Sequence, residues 1–343
     1  MRVVRADSSF QEVWDTFVDA HPQAGPYHRW AWSQAVRQAY GFHQVSLVAL
    51  REDQVAGVLP LVHMKLPGAR GRLVSLPYCD FGGPLSVDEG TNTLLIEYAM
   101  EFAEAQSVKE VVLRRQTAGA SGTGKVLMRL ALPESSTLLM QSFSAKLRSQ
   151  IKKPQREGLT VIRGGEELLE HFYRVFAKNM RDLGSPAHSL GWFTRVVRGF
   201  QDFGRVWVAY LPDGRPAAAA ITLDQGRVTY VPWASSVREY NPHNPNMLLY
   251  WAMLSGAAEA GQRAFEFGRC TPGEGTHRFK KQWGAEPLDL AWDVYDPATR
   301  KVKCAESGAR ASTLRRMAES CWRRLPLWAA NVAGPLLRRY ISL

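Results

Sequence analysis

Arg205–Trp233, RVWVAYLPDGRPAAAAITLDQGRVTYVPW, is the stretch from which the fold can be read. Asp213-Gly214 and Gln225-Gly226, dipeptides that readily reverse a chain, separate three runs rich in Val, Ala, Ile and aromatic residues. Arg205–Leu211, Ala217–Leu223 and Arg227–Trp233 are therefore expected as three strands joined by short turns. Upstream, Leu159–Arg163 reads as a short strand. Glu166–Leu183 reads as a helix, with Leu169, Phe172, Tyr173, Phe176 and Met180 at helical spacing and Gly184 as its stop. Leu190–Phe200 is a second helix. Downstream come a long helix over Asn246–Ala260, the strand Ala264–Phe267, a polar loop, and a last strand over Leu288–Tyr295.

Residues 1–140 give nearly the same order. Arg2–Arg5 is strand-like, and Phe10–Ala20 is a helix with Phe10, Val13, Trp14, Phe17 and Val18 inward. A second helix covers Trp30–Tyr40. Strands follow over Val45–Leu50, Val55–His63 and Arg72–Leu76, then the helix Thr91–Ala105, the strand Glu110–Leu113 and a closing strand Lys125–Leu132. An element order made twice, βααβββαβ, matches an α/β (α+β) architecture of two tandem GNAT-like (acyl-CoA N-acyltransferase-like) domains. In that fold the central strands part to admit an acyl donor. The expected division is an N-terminal domain over 1–142, a C-terminal domain over 143–304, and a basic amphipathic tail over 305–343 that either packs back on the first domain or meets a membrane surface.

The chain has 343 residues, 45% hydrophobic and 22% charged, a composition that supports two cores. No run is apolar enough to span a bilayer. Met1–Phe17 carries no apolar signal core and no cleavage site, so a cytoplasmic location is expected. Cys79, Cys270, Cys304 and Cys321 lie far apart without metal-ligand spacing, which suits a reducing compartment. The formal net charge of +11 is local: Arg310–Leu343 carries +6 and Phe143–Gly158 carries +4. Such concentrations call for an anionic surface, a polyanion or a phosphorylated ligand, or else are solvated helix faces. In the second stretch Phe143, Leu147 and Ile151 recur every four residues, while Ser149, Lys152, Lys153 and Arg156 share another face. Pro154 should break or kink that helix near its end. The helix is either a strut between the domains or a face that presents lysines to phosphates.

Two familiar motifs fail. Gly119-Ala-Ser-Gly-Thr-Gly124-Lys125 nearly spells a phosphate-binding loop, but Val126 stands where Ser or Thr must hold magnesium, and a strand follows where a helix is needed. Ahead of the helix at 246, the run Arg238–Asn246 lacks the glycine-bearing turn with which acetyl-CoA users of this fold grip pyrophosphate, and Val87–Thr91 lacks it too. None of the eight His shows a metal-binding spacing, and there is no GxSxG elbow. No metal and no resident cofactor are expected.

Three further stretches resemble the Fem family of aminoacyl (peptidyl) transferases. Leu147-Arg-Ser-Gln-Ile-Lys-Lys153 with Arg156-Glu-Gly158 is similar to its basic "RxxIKKA…G" segment, and Asn179-Met-Arg-Asp-Leu-Gly184 to its "TxxRDG" element. Glu266-Phe-Gly268, Thr276-His-Arg-Phe-Lys280 and Trp283-Gly284 are similar to its terminal "FDxG…FKxxFG" run. Leu183-Gly-Ser-Pro186 and the ending from Trp322 to Pro335 look most like the branch found beside exosortase (PEP-CTERM) and exopolysaccharide gene clusters. The resemblance is densest over 143–295. The family's coiled-coil arm is missing, and Ser185-Pro186 replaces an aromatic position.

The resemblance implies an enzyme, an N-acyl or aminoacyl transferase that modifies an amino group of a cell-envelope, peptidoglycan-type or exopolysaccharide precursor bearing an amino sugar or peptide. Its acyl donor, a co-substrate, is an aminoacyl-tRNA or an acyl thioester. Transfer passes through a tetrahedral oxyanion, which a fixed cation stabilises. Lys280 is the candidate cation, with Tyr230 orienting the nucleophilic amine. Arg181 and Asp182 are expected to bind acceptor, Phe279 to pack, and Lys152 and Lys153 to meet phosphates, including those of a tRNA. Asp182, His243, Glu266 and His277 are candidate bases. The competing readings are a GNAT-type enzyme using acyl-CoA or acyl carrier protein, and a non-catalytic double domain that binds glycan, membrane or RNA.

Overall fold

A computed structural model describes residues 1–65, 68–117, 124–304 and 313–342. The chain opens with β1 (Arg2–Ala6), α1 (Gln11–Ala20) and α2 (Trp30–Tyr40). Six strands follow: β2 (His43–Gln44), β3 (Ser46–Arg51), β4 (Gln54–Leu59), β5 (Val62–Met64), β6 (Arg72–Val74) and β7 (Leu85–Ser86). Next come α3 (Glu89–Ala105), β8 (Glu110–Thr117), β9 (Val126–Ala131), α4 (Ser136–Ser142) and α5 (Ala145–Arg156). Then β10 (Thr160–Gly164), α6 (Leu169–Leu183) and α7 (Leu190–Gly199) lead to β11 (Gly204–Tyr210), β12 (Pro216–Gln225) and β13 (Val228–Ser236). The remainder is α8 (Pro245–Glu259), β14 (Ala264–Cys270), α9 (Gly275–Lys281), β15 (Glu286–Tyr295), β16 (Val302–Cys304), α10 (Thr313–Arg323) and α11 (Leu327–Arg338).

The chain forms two compact units. One comprises Met1–Val126, Leu288–Gly308 and Tyr340–Leu343, the other Leu127–Pro287 and Ala309–Arg339. This corrects the division expected at 142/143 and 304/305. Strand β9, read as closing the first domain, lies beside β14 in the second unit. Strand β15, read as closing the second, pairs antiparallel with β8 in the first, from Asp289↔Thr117 to Tyr295↔Val111. A strand's own residues specify its two faces, whereas the edge it joins depends on distant partners. Most of the tail, Ala309–Arg339, belongs to the second unit, while its first residues, to Gly308, and its last, from Tyr340, belong to the first.

In the first unit β1-β3-β4-β7 form one antiparallel sheet, and β2-β5-β6-β8-β15 form a separate run. The single strand expected over Val55–His63 is two, β4 and β5, divided at Pro60, and they belong to different sheets. Proline cannot donate to a ladder, so the pairing changes there. The alternation of β3 builds two cores. Leu47 and Ala49 pack with Leu95, Ala99 and Met100 of α3, while Val48 and Leu50 pack with Trp14 and Val18 of α1. Val13, expected inward, is exposed.

The second unit carries the sheet β10-β11-β12-β13-β14-β9. Its first four strands are antiparallel neighbours, and β13 and β14 are parallel. Ala217–Ile221 are consecutive and all fully buried, so both faces of β12 are covered. Helices α6 and α8 both pack on β12, and alanines keep that approach close. A Cβ on Gly256 of α8 would stand 2.9 Å from the Trp207 ring of β11. Phe143, Leu147 and Ile151 are buried as the spacing predicts. Helix α5 nevertheless continues past Pro154 to Arg156, because a proline in the last turn forfeits only one hydrogen bond. The loop expected before β15 contains a helix, α9, whose apolar signal is only Phe279, followed by Trp283 one turn on.

Candidate active site

Strands β13 and β14 are paired from Val228↔Ala264 to Tyr230↔Glu266. There the register stops, although β13 runs on to Ser236 and β14 to Cys270. The cause lies in β13. Leu223 faces Tyr230 while Ile221 faces Trp233, so Val231 and Pro232 together oppose the single residue Thr222. That is a β-bulge, which bends its strand, and Pro232 has no N–H to offer a neighbour. The central strands therefore part immediately beyond Tyr230 and Glu266.

Charged and polar groups are buried at this fork. Glu266 is 1% exposed, and its Oε2 accepts a 2.7 Å hydrogen bond from Nη2 of Arg129, on β9, whose side chain is 30% exposed. Burial acts to lower the basicity of Arg129, but the charge and hydrogen bond of Glu266 outweigh it and hold the guanidinium firmly protonated. The Tyr230 phenol is raised well above the usual range, first by burial and then by the Glu266 carboxylate, against the opposing pull of Arg129. Tyr230 is thus a hydrogen-bond donor rather than a phenolate.

Lys280 reaches the same strand from α9. It is 7% exposed, and its Nζ donates to the carbonyl oxygens of Gly268 and Arg269, each at 2.8 Å. These carbonyls belong to β14 just beyond its last pair with β13, and Gly268 has φ +75°, outside the range a ladder uses. The lysine therefore brings a buried positive charge to β14 beyond its last pair with β13. Phe279 packs edge-on against Tyr250 at 5.0 Å between ring centres, and Trp283 stands edge-on to Phe143 at 5.4 Å, which anchors α9 to α8 and to the junction of α4 and α5.

The other expected residues lie apart from the fork. Arg181, at the end of α6, donates from Nε to Asp182 Oδ1 at 2.7 Å and from Nη1 to Leu325 O at 3.3 Å. These two residues are occupied with each other and with the segment between α10 and α11. Two residues before Arg181, Asn179 donates to the Ser235 hydroxyl at 3.1 Å and ties α6 to the divergent end of β13. On α5, Lys153 Nζ donates to Pro242 O at 2.6 Å and lies 3.7 Å from Glu157. Lys152 instead lines an open groove of about 580 Å³ with Ala145, Arg148, Ser149, Gln155 and Arg156. His243 pairs with Glu157 at 2.9 Å, and His277 Nδ1 accepts from Gly273 N at 3.3 Å. Of the candidate bases, Glu266 alone lies at the fork. Arg129 escaped the sequence reading. The available signal was an arginine set within the apolar run Val126–Leu132.

Among the described residues no group of His, Cys, Asp and Glu could hold a metal ion. Most of the glycine-rich run resembling a phosphate loop lies outside the described residues, and β9 starts at Val126.

Two such α/β units, the second with central strands that part beside buried polar groups, make a tandem GNAT-like acyltransferase fold. Residues 141–281 match the family model of the acetyltransferase (GNAT) domain. No curated protein matches the sequence. Among solved structures, FemX is 15% identical, with a TM-score of 0.66 over 84% of this chain and 95% of that one. The C-terminal domain of a putative lysylphosphatidylglycerol synthetase from Agrobacterium fabrum is 13% identical, with a TM-score of 0.53 over 92% and 97% of the two chains. A tandem GNAT protein from the clavulanic acid biosynthesis pathway is 14% identical, with a TM-score of 0.51 over 86% and 98%.

Proposed function

We propose that the protein is an N-acyl or aminoacyl transferase acting on an amino group of a cell-envelope or exopolysaccharide precursor at the cytoplasmic side of the membrane. The observation that carries this reading is the fork between β13 and β14, with Tyr230, Glu266 and Arg129 at its base and Lys280 bonded to β14 beyond its last pair with β13. A neutral acceptor amine attacks the acyl carbonyl of a donor lying in the fork. The C–N bond forms, the carbonyl oxygen takes up negative charge, and collapse breaks the donor's C–O or C–S bond, the proton lost by the amine ending on the leaving oxygen or sulfur. A buried ammonium near that oxygen is worth roughly 3 kcal/mol, about a hundredfold in rate. Tyr230, held protonated, orients the amine or the carbonyl through its hydroxyl.

The N-terminus of α8 supports an aminoacyl donor over acyl-CoA. Its first residue is Pro245, which has no N–H, and the amides of Met247 and Leu248 are bonded to Asn244 O at 3.0 and 3.4 Å. The preceding turn is tied to α5 through Lys153 and through the pair His243–Glu157, whose carboxylate repels phosphate. A pyrophosphate finds few amide donors there. The groove of Arg148, Lys152 and Arg156 offers cations for the phosphates of a tRNA donor or of the acceptor. The names of the structural relatives, FemX and lysylphosphatidylglycerol synthetase, agree with transfer to an envelope component. The match to an acetyltransferase domain favours a second reading, in which an acyl thioester is the donor.

The test is thermal protection of the purified protein by aminoacyl-tRNA, acyl-CoA and acyl carrier protein, followed by transfer assays on Lys280→Met and Lys280→Arg. Protection by aminoacyl-tRNA is expected, with turnover about a hundredfold lower in Lys280→Met and partly restored in Lys280→Arg. Protection by acyl-CoA alone would overturn the donor. Wild-type turnover in a folded Lys280→Met protein would remove the cation from the mechanism.

A further inference from the structure

Helix α11 is two-faced. Inward, Ala330 and Gly334 are buried, and a Cβ on Gly334 would stand 3.1 Å from the backbone N and O of Ala187. Arg338, on the same side, donates from Nε to His188 Nε2 at 3.0 Å. The helix is thus fixed closely against the segment that follows α6. Outward, Trp328, Val332 and Leu336 recur every four residues and are 73%, 67% and 62% exposed, with Leu337 beside them at 49%. At 1.5 Å rise per residue this apolar row is about 12 Å long. A core-forming helix buries such a row, and Trp328 is more exposed than any other large apolar side chain of the chain's described residues.

The surrounding charge selects the occupant. Between residues 316 and 339 the sequence carries Arg316, Arg323, Arg324, Arg338 and Arg339 against the single acid Glu319. Arg316, Arg323 and Arg324 are exposed. A second copy of the chain would bring a row ringed with arginines against an identical row, so like charges would oppose self-association. An anionic bilayer offers acyl chains to the apolar row and phosphates to the arginines, and Trp and Arg are the residues that populate that interface. No described helix is long and apolar enough to cross a membrane, so the geometry is that of a helix lying along the surface.

We propose that α11, with the end of α10, is a membrane-docking element that lays Trp328, Val332 and Leu336 into the headgroup region of an anionic lipid bilayer. The inference is independent of the transferase reading, and its test involves no substrate. The full chain is sedimented with phosphatidylcholine vesicles with and without phosphatidylglycerol, and Trp328 insertion is read by quenching from brominated lipid. Binding is expected only when phosphatidylglycerol is present, weakening at least tenfold as salt rises to several times physiological strength. Trp328→Glu/Val332→Glu should lose vesicle binding, Arg323→Ser/Arg324→Ser should weaken it severalfold, and Trp328→Phe should remove the quenching without preventing binding. Because the substituted apolar residues are exposed, the melting temperature should not move. Equal binding to neutral vesicles, unaltered binding by Trp328→Glu/Val332→Glu, or a dimer in sedimentation velocity that this double variant dissociates would each overturn the proposal. Unquenched Trp328 in the bound wild type would overturn it without reference to any destabilised variant.

Discussion

Glu266→Gln puts the base of the fork to a quantitative test. The substitution keeps size and one hydrogen-bond acceptor but removes the charge that faces Arg129 across 2.7 Å. Breaking a fully buried ion pair from one side costs about 3–5 kcal/mol, because the remaining charge is stranded. Arg129 is 30% exposed, so water screens part of that cost, and Gln still accepts from it. The expected loss is therefore roughly 2 kcal/mol. For a unit of this size that corresponds to a fall of about 4–8 °C in melting temperature. Arg129→Met/Glu266→Gln, which removes both charges, should be less destabilised than the sum of its single variants by at least ~1 kcal/mol. The Tyr230 phenol should also titrate lower in Glu266→Gln, since the carboxylate helps to raise it, while burial still holds it above a free tyrosine. Scanning calorimetry and ultraviolet titration read both effects. A melting temperature unchanged within a degree, or strict additivity in the double variant, would show that the pair does not sustain the fork.

Two further outcomes follow from buried groups away from the fork. His28 is buried, with Nδ1 accepting from Gly25 N at 3.0 Å and Nε2 lying 3.1 Å from Gly83 O, and burial lowers its pKa to about 4. His188 is lowered well below its usual range by burial and by Arg338. Unfolded histidine takes up a proton near pH 6.5, so both groups contribute full stability above that value and lose it as pH falls toward their folded pKa. For His28 alone the loss by pH 5 is about 2 kcal/mol, visible as a lower denaturant midpoint at pH 5 than at pH 7.5. A flat profile between those values would contradict the burial assigned to both rings. Gly184→Ala should destabilise by roughly 1–3 kcal/mol and expose α10 to protease, because Gly184 has φ +78° and its Cβ would lie 2.7 Å from Glu319 O. Wild-type resistance to proteolysis in that variant would refute the close approach of α10 to the end of α6.

What the sequence disclosed divides along a physical line. Features set by a few neighbouring residues were legible: the turns at Asp213-Gly214 and Gln225-Gly226, the α6 stop at Gly184, and the buried row Phe143, Leu147, Ile151. The fold class followed from them, because their order alone specifies a mixed sheet with a long helix between its parting strands. Features set by distant partners were not. Strand β9 belongs to the second unit and β15 to the first, an assignment no local pattern encodes. The same misplacement concealed Arg129, since a residue assigned to the wrong unit cannot be expected to meet Glu266. Arg181 and Asp182 were drawn from a motif, and the motif gave no hint that the segment before α11 would engage Arg181 through Leu325 O.

The origin of the fork lies between these two kinds of feature. Tyr230-Val231-Pro232-Trp233 reads as the end of an ordinary strand, and a proline there suggests only an edge or a bulge. The bulge acquires consequence because β14 runs parallel beside it and their pairing ends there. An extra residue on one strand thereby ends its pairing with the next. Just beyond that point Lys280 donates to the carbonyls of Gly268 and Arg269, so its positive charge is fixed by backbone hydrogen bonds. A cation held by two carbonyls is positioned and buried before any substrate arrives, which is the preorganisation that stabilising an oxyanion demands.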